Sequence, residues 1–199
     1  MRLLRTIPVV VALVAGVSGC VPGEDAPDMA TLMASLELDP PVDLDVECPA
    51  VPEGAERVLF AGMFTNQPQI RPGALDFPTD FCPSETAFYA RAEGRGNSSL
   101  LGEFRWSERY CAGTPQGLVA EGFFEATDGD RLDWDAVIRG TPPASPDESM
   151  TFAGQFTFTG GSGAYEGASG TANVSAVQLG DATMNAPGST AAALCGWIR

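Results

Sequence analysis

Leu100-Leu101-Gly102-Glu103-Phe104-Arg105-Trp106-Ser107-Glu108-Arg109-Tyr110 decides the fold. Leu100, Phe104, Trp106 and Tyr110 fall on one face of an extended chain, and Glu103, Arg105, Ser107 and Arg109 on the other. A period of two marks a strand with one face buried and one in water. The same period recurs on both sides. Val58, Phe60 and Phe64 alternate around Gly62, and Thr86 to Ala92 reads as a second strand. Leu118 to Ala126 follows the quoted strand, and Asp128-Gly129 is a hairpin turn signal. Leu132, Trp134, Ala136 and Ile138 then oppose Arg131, Asp133 and Asp135. After a proline-rich loop, Met150, Phe152, Phe156 and Phe158 alternate with Thr151, Gln155, Thr157 and Thr159. Gly160 to Gly163 reads as a turn, Gly170 to Val177 as a seventh strand and Thr190 to Ile198 as an eighth. No helix-length periodic segment interrupts the series. Many short strands at even spacing predict an all-β domain over residues 57–199.

The run Phe156-Thr157-Phe158-Thr159-Gly160-Gly161-Ser162-Gly163-Ala164-Tyr165-Glu166-Gly167-Ala168-Ser169-Gly170-Thr171 resembles the glycine-rich segment of allene oxide cyclases and dirigent proteins. Gly96-Asn97, Leu101 to Phe104 and Ala126 to Leu132 also resemble exported bacterial proteins with this type of barrel. These are turn and packing motifs. They imply an eight-stranded antiparallel β-barrel of the calycin or allene oxide cyclase type. No catalytic or substrate residue of those families has a match here, so the resemblance assigns no activity.

The amino terminus carries a different message. Met1-Arg2-Leu3-Leu4-Arg5 is basic, Ile7 to Val17 is an apolar run, and Ser18-Gly19 are small. Those are the marks of an export signal over residues 1–19. Val17-Ser18-Gly19-Cys20 resembles the bacterial lipoprotein box, in which the cysteine receives a diacylglyceryl group and becomes the first mature residue. The uncharged run from Thr6 to Cys20 is shorter than the roughly 20 residues that span a bilayer, which argues against a transmembrane helix. Plain secretion is the main rival. The resemblance implies lipid anchoring of Cys20 to a membrane of the cell envelope. Val21, where sorting signals for retention carry Asp, implies the outer membrane if the host has two.

Residues 20–56 read as a tether and acidic linker. Within it, Met29, Leu32, Met33 and Leu36 form the stripe of a short amphipathic helix at about 28–37, with Asp28 as N-cap. This helix either packs on the domain or frays, or else closes a cavity mouth or docks a partner.

Composition excludes more than it assigns. Net charge is −15, and 26 acidic residues face 11 arginines with no lysine or histidine. Removing the signal makes the balance nine against 26, or −17. Such a surface repels phosphate backbones, so nucleic acid is a poor partner. Without histidine the chain cannot build a Ser-His-Asp or Cys-His nucleophile system, nor the usual histidine-bearing metal sites. No cofactor is indicated.

Cys48, Cys82, Cys111 and Cys195 contain no C-x-x-C pair, and in an oxidising compartment they read as two disulfides. Cys82 and Cys111 flank a hairpin whose turn is expected near Gly94-Arg95-Gly96-Asn97, so they are predicted to pair. Cys48–Cys195 follows by elimination.

Glu108 is the one acid on the face of Phe104, Trp106 and Tyr110, which together form the candidate ligand-binding residues. On an internal face its carboxyl would be desolvated. The reading preferred from sequence places it at the barrel rim, in water or paired with Arg91, because charged residues are rarely buried unpaired. Asp128, Asp130, Asp133 and Asp135 are oxygen donors for Ca²⁺, but their spacing is that of a hairpin turn and a strand, which favours a solvated acidic surface over a metal site.

Three functions remain. The first is a lipid-anchored, non-enzymatic envelope protein whose barrel binds a small apolar ligand or a protein partner. The second is an isomerase or cyclase acting on an apolar substrate inside the barrel. The third is a structural surface protein, with or without calcium.

Overall fold

The computed structural model describes residues 27–39, 41–68, 81–145, 148–180 and 188–199. The expected all-β architecture forms. Strands β1 (Glu56–Pro68), β2 (Phe88–Ser98), β3 (Gly102–Thr114), β4 (Gly117–Ala126), β5 (Arg131–Thr141), β6 (Thr151–Ser162), β7 (Gly170–Leu179) and β8 (Ser189–Ile198) each pair antiparallel with their chain neighbours. β8 returns to pair with β1, from Glu56 opposite Ile198 to Thr65 opposite Ser189, so the sheet has no free edge. Cys20 and the signal lie outside the described residues.

Two glycine tracts read as turns are strand. Gly94 and Gly96 lie within β2, opposite Trp106 and Phe104 of β3. The chain reverses later, at residues 99–101, where the Leu101 N–H donates to Ser98 Oγ (2.7 Å). Leu100 therefore belongs to the turn rather than to the strand. Gly160 and Gly161 likewise continue β6, and a single 3₁₀ turn, Gly163–Tyr165, follows. The reason is space. After Phe88 at its start, the inward positions of β2 are Ala90, Ala92, Gly94, Gly96 and Ser98, all small. A Cβ on Gly96 would stand 2.6 Å from the Phe104 ring. One on Gly62 would stand 2.8 Å from Trp106, and one on Gly122 2.6 Å from Trp134. Small strands and aromatic strands thus fill one interior between them. By contrast, the Asp128-Gly129 turn forms as expected: Gly129 takes φ 93°, and its N–H donates to the Ala126 carbonyl (3.0 Å).

Phe60, Phe104, Trp106, Phe124, Trp134, Phe156 and Phe158 are buried in the barrel. Phe124 sits among them, with ring centroids 4.9 Å from Phe60, Phe104 and Trp106 and 5.5 Å from Trp134. Phe124→Ala is expected to lower stability by about 3–5 kcal/mol, read as a fall in the urea midpoint, because surrounding rings of this size cannot collapse onto the gap. One end of the barrel is shut by Leu101 and Tyr165.

The segment read as a linker packs against the barrel instead. The helix α1 spans Met29–Ala34, and Asp28 Oδ1 accepts from the Thr31 N–H (2.8 Å) as an N-cap should. Leu32 and Met33 bury against Ala61 and Ala193 on the outside of the barrel, joined by Leu36, Leu38, Val42, Leu44 and Val46. From Val42 to Cys48 the chain alternates, with Val42, Leu44 and Val46 half-buried and Asp43, Asp45 and Glu47 exposed. The Asn97 side chain donates to Ser35 Oγ (2.7 Å), and that of Asn173 to the Glu47 carbonyl (2.8 Å). Under this strap β8 is buried on both faces, which explains its run Ala191-Ala192-Ala193-Leu194-Cys195-Gly196.

Both cysteine pairs meet. Cys48 and Cys195 lie 4.9 Å apart between Cα atoms, and Cys82 and Cys111 5.6 Å. Cys111 faces Tyr89 in the ladder, not Cys82. Cys82 reaches it because the loop before β2 folds back through a turn in which the Thr86 N–H donates to the Pro83 carbonyl (3.0 Å).

Candidate functional site

The end of the barrel opposite Leu101 is not shut. A half-open pocket enters it between Phe64 and Asn66 of β1, Glu108 and Tyr110 of β3, Leu118 of β4, Ile138 of β5, Phe152 of β6, Ala176 of β7 and Thr190 of β8. Trp106 and Phe156 form its floor together with the Glu108 carboxyl. Each of these side chains continues the inward alternation of its strand, so closure of the sheet alone brings them together.

Glu108 is inside, only 9 % exposed, and not at a watery rim. The preference for the rim is overturned by the geometry. Arg91 stands on the outward face and donates from Nε to Tyr89 Oη (3.2 Å), so it does not meet Glu108. The partner of Glu108 is an indole: Trp106 Nε1 donates to Glu108 Oε2 (2.9 Å). One neutral donor does not replace water around a carboxylate. Burial pushes the Glu108 pKa up from 4.5 to about 7, and the Trp106 hydrogen bond acts weakly the other way. Burial also raises the Tyr110 phenol, and the neighbouring Glu108 charge adds to that rise.

Trp106, Glu108 and Tyr110 therefore share one pocket, but Phe104 does not line it. It points toward the shut end, with its ring centroid 5.8 Å from that of Phe60. Sequence reasoning missed Asn66 and Thr190. Both were legible as the last inward steps of their strands: Asn66 follows Phe64 by two, and Thr190 precedes Ala192 by two. Asn66 Nδ2 donates to Thr190 Oγ1 (3.3 Å), while Asn66 Oδ1 is buried without a hydrogen-bond partner among the described residues.

The four aspartates do not gather. The Asp130 N–H donates to Asp128 Oδ1 (3.1 Å) across the hairpin turn, and Asp133 pairs with Arg131. Asp135 is exposed, and its carboxyl is raised by partial burial and then by the nearby Glu121 charge. Among the described residues no three acidic or cysteine side chains form a metal-binding group. A larger, shallow groove of about 440 Å³ lies on the outer face of β2 to β5. Its arginines are already engaged, Arg91 with the Tyr89 hydroxyl, Arg109 with Glu121 and Arg131 with Asp133.

The pocket has a volume of about 50 Å³. Sites that enclose whole drug-sized ligands run to roughly 300–1,000 Å³. The interior is thus an aromatic core with one acid-floored recess at its mouth. Fold and recess together define a closed up-and-down barrel whose open recess is far smaller than a drug-sized ligand. No protein-family model, curated protein or solved structure matches the chain. No helix among the described residues is long and apolar enough to cross a membrane.

Proposed function

We propose that the chain is a non-enzymatic, lipid-anchored cell-envelope protein whose barrel takes the end of a small, mainly apolar ligand into its open mouth. The observation that carries this reading is the recess itself, with mainly apolar walls and a buried carboxyl at its base. Such a recess orients one end of a ligand and leaves the remainder outside. The enzymatic alternative draws less support, because a cyclase or isomerase of an apolar substrate would need to exclude water around the whole reacting centre. Kinship with allene oxide cyclases and dirigent proteins belongs to the proposal as a statement about barrel architecture. The anchoring part rests on Val17-Ser18-Gly19-Cys20 and the apolar run before it.

Native mass spectrometry of the protein purified from its own host tests both parts. The expected spectrum shows an acylated chain beginning at Cys20, with a second population carrying one small bound molecule. A chain that retains residues 1–19 or lacks acyl mass contradicts the anchor, and a single clean acylated mass contradicts the ligand.

A further inference from the structure

We propose that the recess recognises a primary ammonium group carried on a short alkyl chain, a deepening that rests on the ligand-binding reading above. Two acceptor oxygens at the recess lack a donor. Glu108 uses Oε2 for the Trp106 indole, and Oε1 has no hydrogen-bond partner among the described residues. Asn66 Oδ1 is buried and likewise unpartnered. An ammonium head brings three donors and no acceptor, so one group could satisfy both oxygens. A neutral alkyl end would leave them unpaired, at the cost of buried acceptors without donors. An anionic head would face the Glu108 charge.

Among the described residues no competing cation lines the recess. Around Glu108, β1 contributes Phe64 and Asn66, β2 Ala92, β4 Gly122, β5 Trp134, β6 Phe156, β7 Val174 and β8 Thr190, none of them charged. Tyr110, on Glu108's own strand, is the other titratable group, and it stays neutral. The Trp106, Phe64 and Tyr110 rings line the same space and attract a cation through their faces. Size agrees as well. About 50 Å³ holds about four water-sized groups, which is an ammonium and two or three carbons. The rest of the chain would meet Leu118, Ile138 and Phe152 at the rim.

Binding would form an ion pair with no proton left over only when Glu108 is ionised. Below about pH 7 the carboxyl must first release its proton, so affinity should fall as pH falls. The test uses the intact protein and three matched probes: propylammonium, 1-propanol and propionate. Calorimetry gives the affinities, and the nitrogen-15 shift of the Trp106 indole reports entry into the recess. Propylammonium is expected to bind about tenfold or more tightly than 1-propanol at about pH 8. Its affinity should drop about tenfold between about pH 8 and about pH 6, and Glu108→Gln should remove both differences. The pH series on the unaltered protein keeps the test sharp if that variant folds poorly. Equal binding of the amine and the alcohol, with an indole shift from both, overturns the ammonium assignment and leaves the ligand reading standing. No indole shift from any probe overturns both.

Discussion

Glu108→Gln is expected to raise the melting temperature by roughly 6–12 °C at about pH 8 and to leave it unchanged at about pH 4. The sign follows from the direction of the shift. Glu108 has a folded-state pKa near 7 against an ordinary 4.5, so the folded state holds its proton over a range in which the unfolded state has lost it. Stability from this group is therefore complete below about pH 4.5 and declines as pH rises to about 7. Two and a half units correspond to about 3 kcal/mol, which the charged carboxylate withdraws from the fold at neutral pH. Gln keeps the shape and still accepts from Trp106 Nε1, but it never ionises. The other carboxylates titrate in both proteins, so the difference between the two melting curves isolates residue 108. Equal melting temperatures at all pH values would mean that Glu108 reaches water.

Replacing Cys48 and Cys195 by serine is expected to lower stability by about 5 kcal/mol, and replacing Cys82 and Cys111 by about 4 kcal/mol, on the loop-entropy relation for separations of 147 and 29 residues. For a domain of this size the larger loss corresponds to roughly 10–20 °C in melting temperature. The Cys48–Cys195 bond should also have a local signature. It clamps the strap from α1 to Glu47 onto a bed of small outward residues, Ala61 and Ala193, which are fully buried beneath it. Without the bond, hydrogen exchange should accelerate first in residues 42–48 and in β8. A loss of less than about 1 kcal/mol, with unchanged exchange in the strap, would mean that packing alone holds it.

The barrel was legible because its strands obey a period of two over long stretches. Phe104, Trp106 and Tyr110 announce a buried face, and Leu132, Trp134, Ala136 and Ile138 another. Where glycine entered, local propensity misled. Gly94 and Gly96 carry the signature of a turn, yet they are strand: a side chain on Gly96 would run into the Phe104 ring of the next strand, and one on Gly94 into Phe64 of β1. That requirement is tertiary and cannot be seen along one strand. The strap was misread for the opposite reason. Its prolines and acids suggested a linker, while Val42-Asp43-Leu44-Asp45-Val46-Glu47 carries the period of two that the strands were recognised by. The matching signal lies in β8, whose alanines leave room on the outside as well as within.

The recess was half legible. The face that carries Glu108 was evident, but whether that face points inward at a depth beyond water depends on closure between β1 and β8, which brings Asn66 and Thr190 over it. The rule that charges are rarely buried unpaired favoured the rim, and it failed at Glu108, a buried acid with an indole for a partner. Departures of this kind concentrate at functional sites, which is why Glu108 rather than the acidic outer surface bears the functional reading.

A carbon-13 titration of the Glu108 carboxyl, followed together with the Trp106 indole resonance, tests that reading most directly. The two signals should move on one curve with a midpoint at about 7. A midpoint at the ordinary 4.5, with an indole indifferent to it, would place the carboxyl in bulk water and contradict the existence of an acid-floored recess.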